Sequence, residues 1–294
     1  MTDRPINRVV LGTVQLGLPY GRLATTALMP MEQAWAILDA AWSLGIRAFD
    51  TAAAYGDAVT RLCQWLDVRG HRYEAEIITK IPPAPERDFG ERSLIAVLPF
   101  AGVRRLSLLT HGAAHGGLLA DARAAIPDPR VVLGQSVYAA EEVAAAVTDP
   151  RVTRIQAPGN IFDQRALAAR GASRCPLDLR SVFLQGLLLE TVEDADTRVP
   201  GAGMLAAAVA RAAAGIGMPV EALLVASLLR KARPDDRVVV GIDQPHQLEP
   251  LAALARLEPA HVGAFVRRVC EEVPGPVEES LLDPRRWVTA DLAP

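Results

Sequence analysis

A carboxylate, a phenol, an ammonium and an imidazole (Asp50, Tyr55, Lys80 and His111) stand at or just after the ends of three successive apolar runs. A phenol with an ordinary pKa of ~10 is a sluggish acid at neutral pH unless a cation stabilises its phenolate, and Lys80 supplies that cation. An ammonium drawn into a partly dry cleft loses its proton unless it is paired, and Asp50 is the carboxylate placed to keep it charged and oriented. His111 adds a hydrogen-bonding imidazole. Taken singly these are weak signals, since a lysine at a strand end is ordinarily solvated and a lone histidine ordinarily structural. Together they form an acid/base set.

The elements that would have to gather them alternate regularly along the chain. Short runs rich in β-branched residues at 8–13, 47–50, 76–80, 106–110, 131–134, 153–157, 178–183 and 237–241 read as strands. Helical segments follow them at 31–44, 57–67, 91–101, 118–125, 139–147, 164–170, 204–231 (split by Gly215-Ile-Gly-Met-Pro219) and 245–254. Eight strand-helix units make a (β/α)8 TIM barrel the expected α/β fold, because parallel neighbours need crossovers and eight tilted strands close on themselves. Such barrels carry their sites at the C-terminal strand ends, where the four residues fall. An open doubly wound sheet is the rival. Its Gly-rich fingerprint is missing: Gly12-Thr-Val-Gln-Leu-Gly17 lacks the middle glycine, and some ten residues are expected before the next helix. Residues 259–273 read as an additional C-terminal helix and 274–294 as a tail, the whole of 1–294 forming a single domain.

Leu11-Gly-Thr13, Phe49-Asp-Thr-Ala52 with Tyr55-Gly56, Ile78-Thr-Lys80 and Leu109-Thr-His111 resemble, in order and spacing, the aldo/keto reductase superfamily. Gln156–Gln164, Phe183–Leu188, Val239–Gly241 and Leu282–Trp287 extend the likeness over nearly the whole chain, toward a bacterial branch associated with sugar and secondary-metabolite pathways. The resemblance implies reduction of an aldehyde or ketone to an alcohol, or the reverse, with NADPH. Tyr55 would exchange the proton, His111 would polarise the carbonyl, and the hydride would belong to the nicotinamide. It also implies cofactor contacts at Gly12, Thr13, Ser136, Gln156, Ser181, Gly186, Gly241 and Gln247. In place of two familiar members of the nicotinamide site stand Val137 and, near the seventh strand end, Ser181. Gly241-Ile-Asp-Gln-Pro-His-Gln247 offers no cation for the 2′-phosphate of NADPH, and Asp243 would repel it. NADPH held weakly, NADH, or a decayed cofactor site all remain open.

Two other functions compete: a redox-neutral isomerase or lyase on the same barrel, with Tyr55 and Lys80 as its acid/base pair, and a non-catalytic binding or regulatory barrel. Tyr20 and Trp287 are candidate substrate-pocket residues, Trp287 alternatively docking the tail. Arg180 either meets a phosphate or carboxylate in the mouth or is solvated or paired. Trp35, Trp42 and Trp65 are expected to pack outer helices on the barrel.

Thirty-one Lys+Arg against 34 Asp+Glu, a net charge of −3, leave no basic footprint for nucleic acid. The apolar stretches 93–103 and 222–229 are too short to cross a bilayer, and Met-Thr-Asp-Arg-Pro has no signal-peptide core. Cys63, Cys175 and Cys270 form no C-x-x-C pair and read as reduced and structural. His111 and His115 are four apart, a spacing that would suit a metal on a helix, but glycines surround them and no third ligand follows, so no metal is expected. The expectation is a cytoplasmic monomer or small homo-oligomer acting on a small carbonyl compound, without nucleic-acid or membrane partners.

Overall fold

The computed structural model describes residues 4–20, 27–82, 88–112 and 116–287. Eight parallel strands close in sequence order into a barrel: β1 (Val9–Gly12), β2 (Ala48–Asp50), β3 (Glu76–Lys80), β4 (Arg105–His111), β5 (Val131–Ser136), β6 (Arg154–Pro158), β7 (Leu177–Arg180) and β8 (Arg237–Gly241). β8 closes against β1 with Val239 opposite Val10. Helices connect the strands, and the additional C-terminal helix Pro259–Glu272 packs outside them. The expected (β/α)8 fold is the observed one.

Side chains alternate across a strand with period two, so each strand sends one set outward and the other inward. The outward set (among others Val9, Leu11, Phe49, Ile77, Leu108, Leu133, Ile155, Leu179 and Val240) joins the helices in the main apolar core, with Trp65 fully buried and Trp35 and Trp42 packed against it. The inward set lies in tiers. Arg154, Asp178, Arg237 and Glu76 occupy the N-terminal end, where Asp178 accepts from Arg154 at 2.7 Å and from Arg237 at 2.7 Å. Arg237 also reaches from β8 to Glu76 on β3 at 3.2 Å. Val10, Ala48, Ile78, Leu109 and Val239 form a separate apolar cluster above them. Two residues further along the same strands come Gly12, Asp50, Lys80, His111 and Gly241, with Gln156 and Arg180 at matching steps of β6 and β7.

Several boundaries differ from expectation for local reasons. β7 stops at Arg180 rather than running to 183, because Ser181, Leu184 and Gln185 turn into positive φ (65°, 48° and 52°) and a strand cannot continue through that conformation. Residues 245–255 are 3-10 rather than α, with Pro250 inside removing an amide donor. The third helical segment, expected over 91–101, is α only to Val97 and tightens to 3-10 over Leu98–Phe100 at Pro99. A one-turn helix, Val14–Gly17, follows β1 directly, where a longer loop was expected. No helix among the described residues is long and apolar enough to cross a membrane.

Candidate active site

Lys80 is 2% exposed, and its ammonium meets Asp50 Oδ1 at 2.8 Å, Asp50 Oδ2 at 2.9 Å and the Thr51 carbonyl at 3.0 Å. The Tyr55 hydroxyl is a further hydrogen-bond partner of the same ammonium. Burial alone would strip a proton from the ammonium, but Asp50 and Tyr55 outweigh it and hold its pKa above the ordinary lysine value. Gln156 donates to Asp50 Oδ1 at 2.8 Å and accepts from the Ser136 hydroxyl at 3.1 Å, so the pair is part of a buried chain.

Tyr55 lies beyond β2, half-buried, with Lys80 Nζ 4.9 Å from its ring centroid. The sequence suggests that Lys80 would bring the phenol down; the structure shows burial as the larger influence, pushing the phenol above its ordinary value, with Lys80 pulling against it and Asp50 adding to it. Two glycines set the position of Tyr55. A Cβ on Gly17 would collide with the Tyr55 carbonyl and the Ala58 amide, and one on Gly56 (φ 54°) with the Gly17 carbonyl. The second glycine of the discarded nucleotide motif therefore serves close backbone approach beneath the tyrosine. His111 is exposed at the end of β4, its pKa lowered by desolvation and by the charge of Lys80, opposed by Asp50 and lowered further by Arg180.

A cavity of about 310 Å³ opens beside this set. It collects Asp50 and Tyr55 with Gly12, Thr13, Ser181, Gly186, Gly241, Gln247 and Tyr20 from the sequence reading. Ser136, Gln156, Lys80 and His111 do not line it; the polar atoms of Ser136 and Gln156 bond to one another and to Asp50. Trp287 is not brought there either. Its indole donates to the Ser280 carbonyl at 3.1 Å and its ring lies 5.4 Å from the Arg198 guanidinium carbon, so it docks the tail. His115 lies outside the described residues. Asp243, expected from the sequence in the cofactor loop, lines the cavity, whereas sequence reasoning missed Gln15, Val182, Phe183, Gln185 and Glu221 as cavity residues. For Gln15 the available signal was its place just after β1; for Glu221, on a distant helix, there was none.

A dinucleotide requires close backbone approach and hydrogen-bond acceptors for ribose hydroxyls. Gly12 and Gly241 line the cavity where a Cβ would press on the Val240 carbonyl and on Gln15, and Gln15 Oε1 is buried there with no partner. An orphaned buried acceptor on a cavity wall suits a donor brought by a ligand. The wall beyond carries Asp243 and Glu221, and Gln247 turns back to accept from the Asp243 and Gln244 amides at 2.8 and 3.1 Å. The residues fit the sugar and backbone contacts of such a cofactor better than an added phosphate.

Residues 8–96 match the Aldo/keto reductase family, and these residues hold Asp50, Tyr55 and Lys80. The chain resembles the aldo/keto reductases. No curated protein matches it. Among solved structures it is similar to a glycerol dehydrogenase from Gluconobacter oxydans, at 18% identity and a TM-score of 0.70, over 92% of this chain and 94% of that one. It is also similar to an aldo/keto reductase from Klebsiella pneumoniae in complex with NADP and acetate, at 18% identity and a TM-score of 0.65, over 94% of each chain. A Klebsiella pneumoniae aldo-keto reductase in complex with NADPH gives 18% identity and 0.63 over the same shares. At such identity the likeness establishes a shared barrel.

Proposed function

We propose that this aldo/keto reductase-like barrel reduces an aldehyde or ketone to an alcohol, or catalyses the reverse, with a nicotinamide cofactor and Tyr55 as general acid/base. The observation that carries the reading is the buried Asp50–Lys80 pair beside a half-buried phenol on a cavity wall. A bound reduced nicotinamide supplies the hydride. The chain's own residues handle the proton: Tyr55 gives its phenolic hydrogen to the carbonyl oxygen as the hydride reaches carbon, and Lys80 stabilises the phenolate left behind. Asp50, through both oxygens, keeps Lys80 charged. His111, neutral at pH 7 by the direction of its shift, donates a hydrogen bond to the same oxygen. Gly12, Thr13, Gln15, Ser181, Gly186, Gly241 and Gln247 would hold the cofactor, with Tyr20 toward the substrate.

NADPH is the cofactor the family resemblance implies. Here its 2′-phosphate would meet Asp243 and Glu221, with Arg180 the one cation among the described cavity residues. NADH is therefore expected to bind at least as well. Fluorescence titration of the protein with NADPH, NADH and their oxidised forms tests the reading without a substrate. Saturable micromolar binding supports it. A folded protein that binds none of the four has no hydride source, and the redox-neutral alternative then replaces it.

A further inference from the structure

Arg180 is an inward-facing charge that the proposed chemistry leaves unused and that, among the described residues, no carboxylate matches. It ends β7 in the same inward row as Asp178, is half-buried, and lines the cavity with Asp50 and Tyr55. The other inward charges are matched: Arg154 and Arg237 by Asp178, and Lys80 by Asp50. Among the described residues no carboxylate pairs with Arg180. Its Nη2 donates to the Val137 carbonyl at 3.1 Å and its guanidinium carbon lies 4.1 Å from the centroid of the Tyr138 ring. Arg285 of the tail lies 3.7 Å from the same centroid, but is itself paired with Asp283 at 2.7 Å.

A guanidinium fixed by one carbonyl and an aromatic face keeps most of its five donors in a fixed fork, the geometry that takes carboxylates and phosphates bidentately. Asp50 cannot serve as its counterion, because Lys80 and Gln156 already engage that carboxylate. The next residue, Ser181, holds φ at 65°, a conformation disfavoured for a side-chain-bearing residue, which turns the chain sharply at the mouth. Arg180 shares the cavity wall with Asp50 and Tyr55, and its charge is felt at His111.

We propose that Arg180 binds an oxyanion carried by the substrate, so that the protein acts on short carbonyl compounds bearing a carboxylate or phosphate. The inference rests on the carbonyl-reductase reading, and its test separates the two. Turnover of 4-oxobutanoate is compared with that of its neutral amide 4-oxobutanamide, and glyceraldehyde 3-phosphate with glyceraldehyde, in the wild type and in Arg180→Gln and Arg180→Lys. Thermal melts establish that each variant is folded. Calorimetry with the dead-end acid butanoate and with NADH and NADPH accompanies them.

The expected result is a wild-type preference in kcat/KM for one anionic member over its neutral partner of at least about tenfold, the scale of a charge-assisted hydrogen bond. That preference collapses in Arg180→Gln and is partly kept in Arg180→Lys, with cofactor affinity unchanged. Which pair shows it distinguishes carboxylate from phosphate. A wild type without preference, or a preference that survives in Arg180→Gln, overturns the proposal. So does an Arg180→Gln protein whose only defect is weaker nucleotide binding, which would assign the residue to the cofactor's phosphates. If no aldehyde turns over but butanoate binds in an Arg180-dependent way, the anion site stands and the reductase reading fails; neither turnover nor binding removes both.

Discussion

The barrel buries a charge cluster at each end, and the two are built differently. At the N-terminal end Asp178, fully buried, is bonded by Arg154 and Arg237, and Arg237 reaches on to Glu76. Its arginines hold the carboxyl below its ordinary pKa against the pull of burial. At the C-terminal end Asp50 and Lys80 are just as well matched, but the matched pair stands beside a phenol and a guanidinium without a carboxylate partner that face a cavity, with the His111 imidazole at the neighbouring strand end. Both clusters pay desolvation. The difference is that the first ends on itself and the second ends on groups able to act on something else.

That contrast is broken most directly at its reactive edge. Tyr55→Phe removes one hydroxyl from the half-buried ring, and loss of a general acid costs roughly 10²–10⁴-fold in rate. The expected outcome is a fall of that size in kcat/KM with the thermal midpoint unmoved; unchanged turnover would take Tyr55 out of the chemistry. Asp178→Asn is the complementary change. It leaves two buried guanidinium groups with no carboxylate on Asp178, and breaking a buried ion pair costs about 3–5 kcal/mol. Urea unfolding should show that loss, while the folded fraction keeps its kcat. Asp50→Asn should lower both. If Asp178→Asn instead lowered kcat in the folded protein without loss of stability, the division between the two ends would be wrong.

The inward row was legible in part. Asp50, Lys80 and His111 could be placed at strand ends because parallel strands read as apolar runs that stop at polar residues, and the family resemblance fixed Tyr55 among the many residues after β2. The tier at the other end was not legible: Arg154, Asp178 and Arg237 lie at or next to the starts of their strands, where a charge reads as a solvated boundary, and only closure of the barrel turns them toward one another. Closure also explains Ser136 and Gln156. Their strands were identified, but that Gln156 reaches Asp50 at 2.8 Å is a fact of the cross-section, invisible along one strand. Trp287 went the other way, since an aromatic near the end of a tail looks the same in sequence whether it caps a mouth or packs beside Arg198.

Gly17 offers a smaller test of how the upper end is held. No side chain fits between the turn after β1 and the Tyr55–Gly56 backbone, so Gly17→Ala must push the two apart. Overpacking of this kind costs about 1–3 kcal/mol. A displacement of ~1 Å at a reacting group can cost on the order of 10² in rate. Gly17→Ala should therefore lower kcat more than its loss of stability would suggest, whereas Gly45→Ala, at a helix end remote from the cavity, should lower stability alone.

The gentlest probe is pH, because the two ends titrate in separate windows. Asp178 has a folded pKa below its unfolded value, so its contribution to stability is present above ~4 and is lost only as pH falls through the still lower folded value. His111 is shifted below the ordinary imidazole value of ~6.5, and Tyr55 above the ordinary ~10. The reactive pair is thus neutral imidazole and protonated phenol throughout the interval between. For reduction, kcat/KM should be flat across neutral pH and fall on the alkaline side only above ~10, while any change that His111 causes, where its imidazolium still donates but adds a charge beside Lys80, should set in below ~6.5 with the protein still fully folded. An alkaline limb well below 10 would mean that Lys80 outweighs burial at the phenol. An acid limb coincident with unfolding would mean that His111 takes no part and that the only acid-sensitive charges are those at the closed end.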